Sequence, residues 1–239
     1  MKKLIVITGA SSGIGEACAK HFSEQGHPLL LLARRIERLQ ALALPNTLCE
    51  KVDVTDKSAF EAAIVKAEAQ YGEVDCLINN AGVMLLGQID TQNASEWKNM
   101  YDVNVLGLLN GMQAVLTPMK ARKSGTIINI SSVAGRKFYG DHAAYCGTKF
   151  AVHAISEGVR QEVADANVRV ITIAPGAVET ELLSHTTSKD IRDDYEAWKQ
   201  DIGGAILAED VARTVTFAYA QPQNVCIREI VIAATRQQP

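Results

Sequence analysis

A chain of 239 residues, 47% hydrophobic and 21% charged, has the make-up of a globular protein with a sizeable core. Its net charge of −3 comes without a Lys/Arg stripe, which argues against a nucleic-acid partner, and no apolar run approaches the ~20 residues a membrane-crossing helix needs. Five cysteines without a CxxC pair and five histidines without ligand spacing disfavour a disulfide framework and a metal site, and point to a reducing, cytoplasmic setting.

The opening MKKLIVITGA has the two lysines and apolar start of a signal peptide, but the run breaks at once in a glycine-rich turn with no cleavage site, so it reads as a first buried strand. That strand, LIVIT (4–8), leads into Gly9, Ser11, Ser12, Gly13, Ile14 and Gly15, and then into the helical EACAKHFSEQ, which Gly26 stops. Glycines at such a corner let backbone N–H groups at a helix N-terminus approach a pyrophosphate. The spacing is GxxxGxG and no lysine follows the last glycine, which disfavours a P-loop. LLLLA (29–33) is the second strand, followed by Arg34, Arg35 and the helical RRIERLQAL. LCEKV (48–52) and DCLIN (75–79) are the third and fourth. Asn93 and Glu96 suggest a capping box before one long helix at about 94–119, with Pro118 near its end. TIINI (126–130), a helix at 144–164, VRVITI (168–173) and VCIREIVI (225–232) complete the alternation. Apolar runs separated by helices are the pattern of strands buried on both faces. A single domain with a doubly wound, mostly parallel seven-stranded sheet is therefore expected. The polar stretch 179–203 interrupts the alternation after the sixth strand, at the sheet edge where ligands bind, and reads as a substrate lid in preference to a solvated helix pair.

The chain resembles the short-chain dehydrogenase/reductase family in its form of about 250 residues. The resemblance runs nearly end to end, through TGASSGIG, DVTD (53–56), NNAG (79–82), DVNVLG (102–107), ISS (130–132), Tyr145-Cys-Gly-Thr-Lys149 and Pro175-Gly176. It implies a Rossmann fold, a nicotinamide cofactor, a small carbonyl or alcohol substrate and a homodimer or homotetramer. It places Asp53 and Val54 beside the adenine, and Asn80, Ala81, Gly82, Pro175, Gly176 and Val178 along the cofactor.

Tyr145 and Lys149, four residues apart, share one face if their segment is helical. A tyrosine that moves the substrate proton would profit from a nearby ammonium, which favours the phenolate. By resemblance Lys149 also binds the nicotinamide ribose, Ser132 holds the substrate oxygen, and Asn104 holds a water leading from the lysine to solvent. Ser131 is adjacent; the family's spacing of thirteen residues to the tyrosine selects Ser132. Cys146 has no activating partner and reads as a packing residue. An NAD-selective domain carries an acid roughly 20 residues beyond the turn. Here Arg34 and Arg35 stand instead, suited to a 2′-phosphate with help from Ser11, so NADP is the expected cofactor. A surface pairing of these arginines with Glu37 is the blander alternative.

The ending REIVIAATRQ and the segment ARRIERLQAL resemble the branch of NADP-dependent 3-hydroxy acid dehydrogenases. Reduction of a 3-oxoacyl thioester shares every motif quoted, and a cofactor-binding scaffold or sensor is the reading from outside enzymology. A sugar-nucleotide epimerase of the related longer family would need a larger C-terminal domain than follows Ile173.

Overall fold

The computed structural model describes residues 2–238. Its sheet is formed by β1 (Leu4–Thr8), β2 (Leu29–Ala33), β3 (Thr47–Lys51), β4 (Val74–Asn79), β5 (Gly125–Ile130), β6 (Val168–Pro175) and β7 (Glu229–Ile232), in the order β3-β2-β1-β4-β5-β6-β7. Every ladder is parallel, so the expected sheet of mostly parallel strands is here wholly so. The last strand is shorter than read from the sequence. Residues 225–228 stay outside it, and its residues are half-buried or exposed, as befits an edge.

Side-chain alternation explains why the central runs are apolar throughout. Ile5, Ile7, Leu29 and Leu31 point to one face, where they pack with Cys18 and Phe22 of α1 (Gly13–Glu24) and Val211 and Val215 of α8 (Ala208–Tyr219). Leu4, Val6, Leu30 and Leu32 point to the other. There they meet Phe60 of α3 (Lys57–Tyr71), Met112 and Val115 of α5 (Gly107–Ala121) and Val152 of α6 (Ala143–Val163). Two helical layers thus sandwich the sheet, the arrangement that makes a parallel sheet stable. A short α2 (Ile36–Ala41) follows β2.

The helix expected at 94–119 is interrupted. α4 (Ala94–Tyr101) runs into a π-helical turn at Asp102–Leu106, and α5 continues from it. Such single π turns inside α-helices are frequent at functional sites. Asn93 caps α4 by accepting from the Ser95 N–H, but the reciprocal arm of a capping box is missing. The Glu96 carboxylate is instead committed to Gln92 and, across the molecule, to Thr187. Segment 179–203 forms a 3₁₀ turn (Glu181–His185) and α7 (Lys189–Asp201). Thr186 pins it: its buried hydroxyl donates to the Met84 carbonyl at 3.2 Å and accepts from the Leu86 N–H at 3.2 Å.

Candidate active site

The strand order reverses between β1 and β4, and the loops after these strands open a crevice at the carboxyl edge of the sheet. Thr8 ties the two loops together, its hydroxyl accepting from the N–H groups of Asn80 (2.9 Å) and Ala81 (3.0 Å). The Asn80 amide donates back to the carbonyls of Thr8 and Gly9. Gly15, in the first turn of α1, sits so close behind this brace that a Cβ would lie 2.5 Å from both Asn80 Nδ2 and the Gly9 oxygen. Gly13 has φ +55°, and its added Cβ would meet Thr180 at 2.9 Å. The turn is thus a bare backbone cradle ahead of a helix N-terminus, shaped for a phosphate.

A cleft of about 500 Å³ extends from this turn across the sheet edge. Its lining includes Gly9, Ser11, Ser12, Gly13, Ile14, Arg34, Arg35, Asp53, Val54, Asn80, Ala81 and Gly82 at one end, and Ser132, Tyr145, Lys149, Pro175, Gly176 and Val178 further along. Gly15 lies behind the wall rather than in it. Asn104, on the π-helical turn, is likewise outside the lining. Its buried carboxamide accepts from the Val83 N–H at 2.8 Å and donates to the Val83 carbonyl and to Thr148 Oγ1. It therefore ties the loop after β4 to α6 and makes no direct bond to Lys149. Asp53 faces the cleft while its carboxylate accepts from the Thr55 N–H and hydroxyl.

Tyr145 and Lys149 lie one turn apart on α6, both buried. Lys149 Nζ donates to the Ile130 carbonyl at 3.1 Å and sits 5.8 Å from the centre of the Tyr145 ring. Burial pushes its pKa down to about 8. Burial also pushes the Tyr145 phenol well above its ordinary value; the neighbouring Tyr195 adds to the rise, and a hydrogen bond with the Ser132 hydroxyl opposes it. Lys149 is not among the groups that shift the Tyr145 phenol here, and the burial that raises the phenol also lowers the lysine. Ser131 is turned to other work: its N–H donates to the Ile173 carbonyl at 2.7 Å and its hydroxyl to the Lys149 carbonyl. Cys146 is buried, with its thiol pKa raised by desolvation.

The arginines divide their tasks. Arg34 is exposed at the rim of the cleft. Arg35 is bonded to the turn, through Nε and Nη2 to Ser11 Oγ (3.2 and 3.1 Å) and through Nη2 to Ser12 Oγ (2.8 Å). Neither pairs with Glu37. Arg35 Nη1 and Arg38 Nη1 instead each reach a different oxygen of Glu181 at 2.8 Å.

At the far end the cleft is walled by residues that the motifs do not mark: Tyr139, His142, Tyr195 and Trp198, with Leu182, Leu183 and Ile191. The rings contact one another, Tyr195 edge-on to Trp198 at 5.2 Å and nearly parallel to His142 at 6.1 Å. The Tyr139 hydroxyl is buried there with no hydrogen-bond partner among the described residues. Lys199 also lines this end, but it is held by Glu179 and Glu196 at 2.9–3.1 Å. Gln237 closes the floor, accepting from the Ala177 N–H at 3.0 Å. The apolar spacing of α7 could have flagged Tyr195 and Trp198; nothing local could have flagged Gln237.

A glycine cradle at a helix N-terminus, one arginine fixed to it with another exposed at the rim, and a buried lysine with two unused N–H donors on the cleft wall together fit a dinucleotide carrying a 2′-phosphate.

The short chain dehydrogenase family model matches residues 3–191. An uncharacterized oxidoreductase of Staphylococcus saprophyticus is 41% identical, with 98% of this chain and 97% of that protein covered. Among solved structures, the closed form of a serine dehydrogenase complexed with NADP⁺ is 32% identical with a TM-score of 0.91, covering 99% of this chain and 96% of that one. An alcohol dehydrogenase from Thermococcus sibiricus complexed with 5-hydroxy-NADP is 26% identical with a TM-score of 0.87, covering 100% and 99%.

Proposed function

This chain belongs to the short-chain dehydrogenase/reductase family and is an oxidoreductase, and from that premise we propose that it interconverts a secondary alcohol and its carbonyl compound with NADP(H), Tyr145 being the proton-transferring group. The observation that carries this reading is the convergence of Tyr145, Lys149 and Ser132 on one cleft that continues into the phosphate turn. NADP as cofactor is further supported by the solved relatives described with it.

When bound, the nicotinamide would supply or accept a hydride at the carbonyl carbon. The chain's own residues handle everything else. Ser132 hydrogen-bonds the substrate oxygen and keeps it against Tyr145. In reduction the Tyr145 hydroxyl gives its proton to that oxygen as negative charge builds there; in oxidation the phenolate takes the proton back. Lys149 uses its two free N–H donors on ribose hydroxyls and its charge on the phenolate. Asn104 acts indirectly, by holding Val83 and Thr148 in place around Lys149 and offering a site for a relay water.

The wall opposite Tyr145 favours a substrate with a flat, uncharged body. Its rings and aliphatic side chains supply apolar contact, and the unpartnered Tyr139 hydroxyl can take a second polar group. Besides Lys149, the lysines and arginines of the lining are Arg34 and Arg35 at the phosphate end and Lys199, which two glutamates neutralise. A substrate carboxylate would find Asp141 and Asp194 in the same lining. The 3-hydroxy acid reading, favoured by the serine dehydrogenase neighbour, is therefore second.

Segment 179–203 serves as the lid of this end, one domain carries the whole site, and the assembly is a homo-oligomer. Five free thiols suit the cytoplasm. The deciding experiment follows NADPH consumption with aromatic and alicyclic ketones and diketones, 3-oxoacyl thioesters, and NADP⁺ reduction with small 3-hydroxy acids. The reading expects the neutral ketones to give the highest kcat/KM. Turnover of none of these classes would overturn it; highest efficiency with a hydroxy acid or thioester would replace the substrate.

A further inference from the structure

We infer that Glu181 is a coenzyme-specificity residue: its carboxylate occupies the anion position between Arg35 and Arg38 that a ribose 2′-phosphate would take. This rests on the coenzyme reading above and concerns how that site discriminates.

The geometry is that of an anion bridged by two guanidinium groups. Glu181 Oε2 accepts from Arg35 Nη1 at 2.8 Å, and Oε1 accepts from Arg38 Nη1 at 2.8 Å. The remaining edge of Arg35 is fixed to Ser11 and Ser12, so this guanidinium belongs to the phosphate turn. Glu181 belongs to the lid, and Thr180 immediately before it lies over Gly13. The two arginines hold its carboxyl down to about 2, so it stays ionised throughout the working range.

A phosphate dianion and an ionised carboxylate cannot share these two guanidinium groups without repulsion. NADP(H) must therefore displace Glu181, and part of what its phosphate gains is offset by the pair it breaks. NAD(H) carries a hydroxyl in place of that phosphate and meets no such exchange. Glu181 thus lowers NADP(H) affinity selectively and narrows the preference that the arginines create. The same exchange assigns Arg38, which the sequence did not mark, to the 2′-phosphate site. It also links the lid's first turn to the identity of the coenzyme.

The test measures equilibrium binding of NADP⁺ and NAD⁺ by calorimetry at fixed ionic strength, with the intact chain and with Glu181→Gln and Arg38→Ala. Glu181 is half exposed, so the amide introduces no buried polar group. Removing an exposed ion pair of this kind corresponds to about a fivefold effect. Glu181→Gln is expected to tighten NADP⁺ by about that factor and leave NAD⁺ unchanged, while Arg38→Ala weakens NADP⁺ alone. Unchanged or weaker NADP⁺ binding in Glu181→Gln overturns the inference and makes the glutamate a support for the arginines. An intact chain that binds neither dinucleotide overturns the coenzyme reading itself.

Discussion

Burial dominates the chemistry of the two central residues, and it sets opposite demands on the two directions of reaction. With its pKa raised, Tyr145 remains a phenol across the neutral range, which suits proton donation and leaves little phenolate for proton removal. Alcohol oxidation is therefore expected to accelerate as pH rises above neutral, because each step upward creates more of the base. Carbonyl reduction is expected to hold steady and then to decline as pH passes about 8, where Lys149 gives up its charge. Profiles of kcat/KM in both directions check this, and oxidation that slows above neutral pH would contradict it. Lys149→Met should remove the decline near pH 8 from the reductive profile and weaken NADP⁺ binding as well; unchanged binding and an unchanged profile would refute both assigned roles. Tyr145→Phe deletes the donor while leaving the phosphate turn intact, so kcat should fall by at least ~10² with NADP⁺ affinity nearly constant, as stopped-flow and calorimetry would read. A phenylalanine variant that turns over like the parent would sink the mechanism.

Among the elements, what could be read from the sequence is what local composition controls. Ile5 with Leu4, and Leu31 with Leu30, are apolar on both faces because helices cover both sides of the sheet, so unbroken runs announce buried strands. The glycine turn, α6 and the face shared by Tyr145 and Lys149 follow from equally local rules. Contacts between distant segments were not legible. Glu96 has the right spacing for a capping box, yet its carboxylate serves Thr187 in segment 179–203. Arg34 holds the sequence offset of a coenzyme-selecting residue, yet Arg35 is the one bonded to Ser11 and Ser12. The π-helical turn that carries Asn104 has no mark in local composition either. The proposed lid, segment 179–203, offers the sharpest test at this scale. Thr186→Val keeps the shape but strips the partner from the Leu86 N–H and the Met84 carbonyl, at a cost of about 1–3 kcal/mol. Thermal denaturation should show a lowered Tm and kinetics a raised KM for the carbonyl substrate. A KM equal to the parent's would show that the segment does not shape the substrate end.

Viewed as a whole, the molecule leaves large apolar side chains uncovered along one helical face: Tyr101 of α4, Leu106 of the π turn and Leu109 of α5 are 44%, 51% and 37% exposed. Covering such a stripe with a second copy removes it from water, and helices of this kind pack well in symmetric pairs. A homodimer or homotetramer is expected in sedimentation at micromolar concentration, and Leu106→Glu should shift it toward smaller species. A monomeric parent protein would count against this arrangement. The position of Gln237 carries a consequence of another kind, in the timing of assembly. Its side chain holds the Ala177 N–H directly beneath Gly176, where even one added carbon would collide with it at 2.2 Å. The glycine turn is braced by contacts between β1 and the end of β4. The floor of the cleft depends instead on a contact between residues 60 positions apart, from the end of β6 to beyond β7, so it is complete only once the edge of the sheet has closed, whereas the nucleotide cradle needs only the sheet's centre.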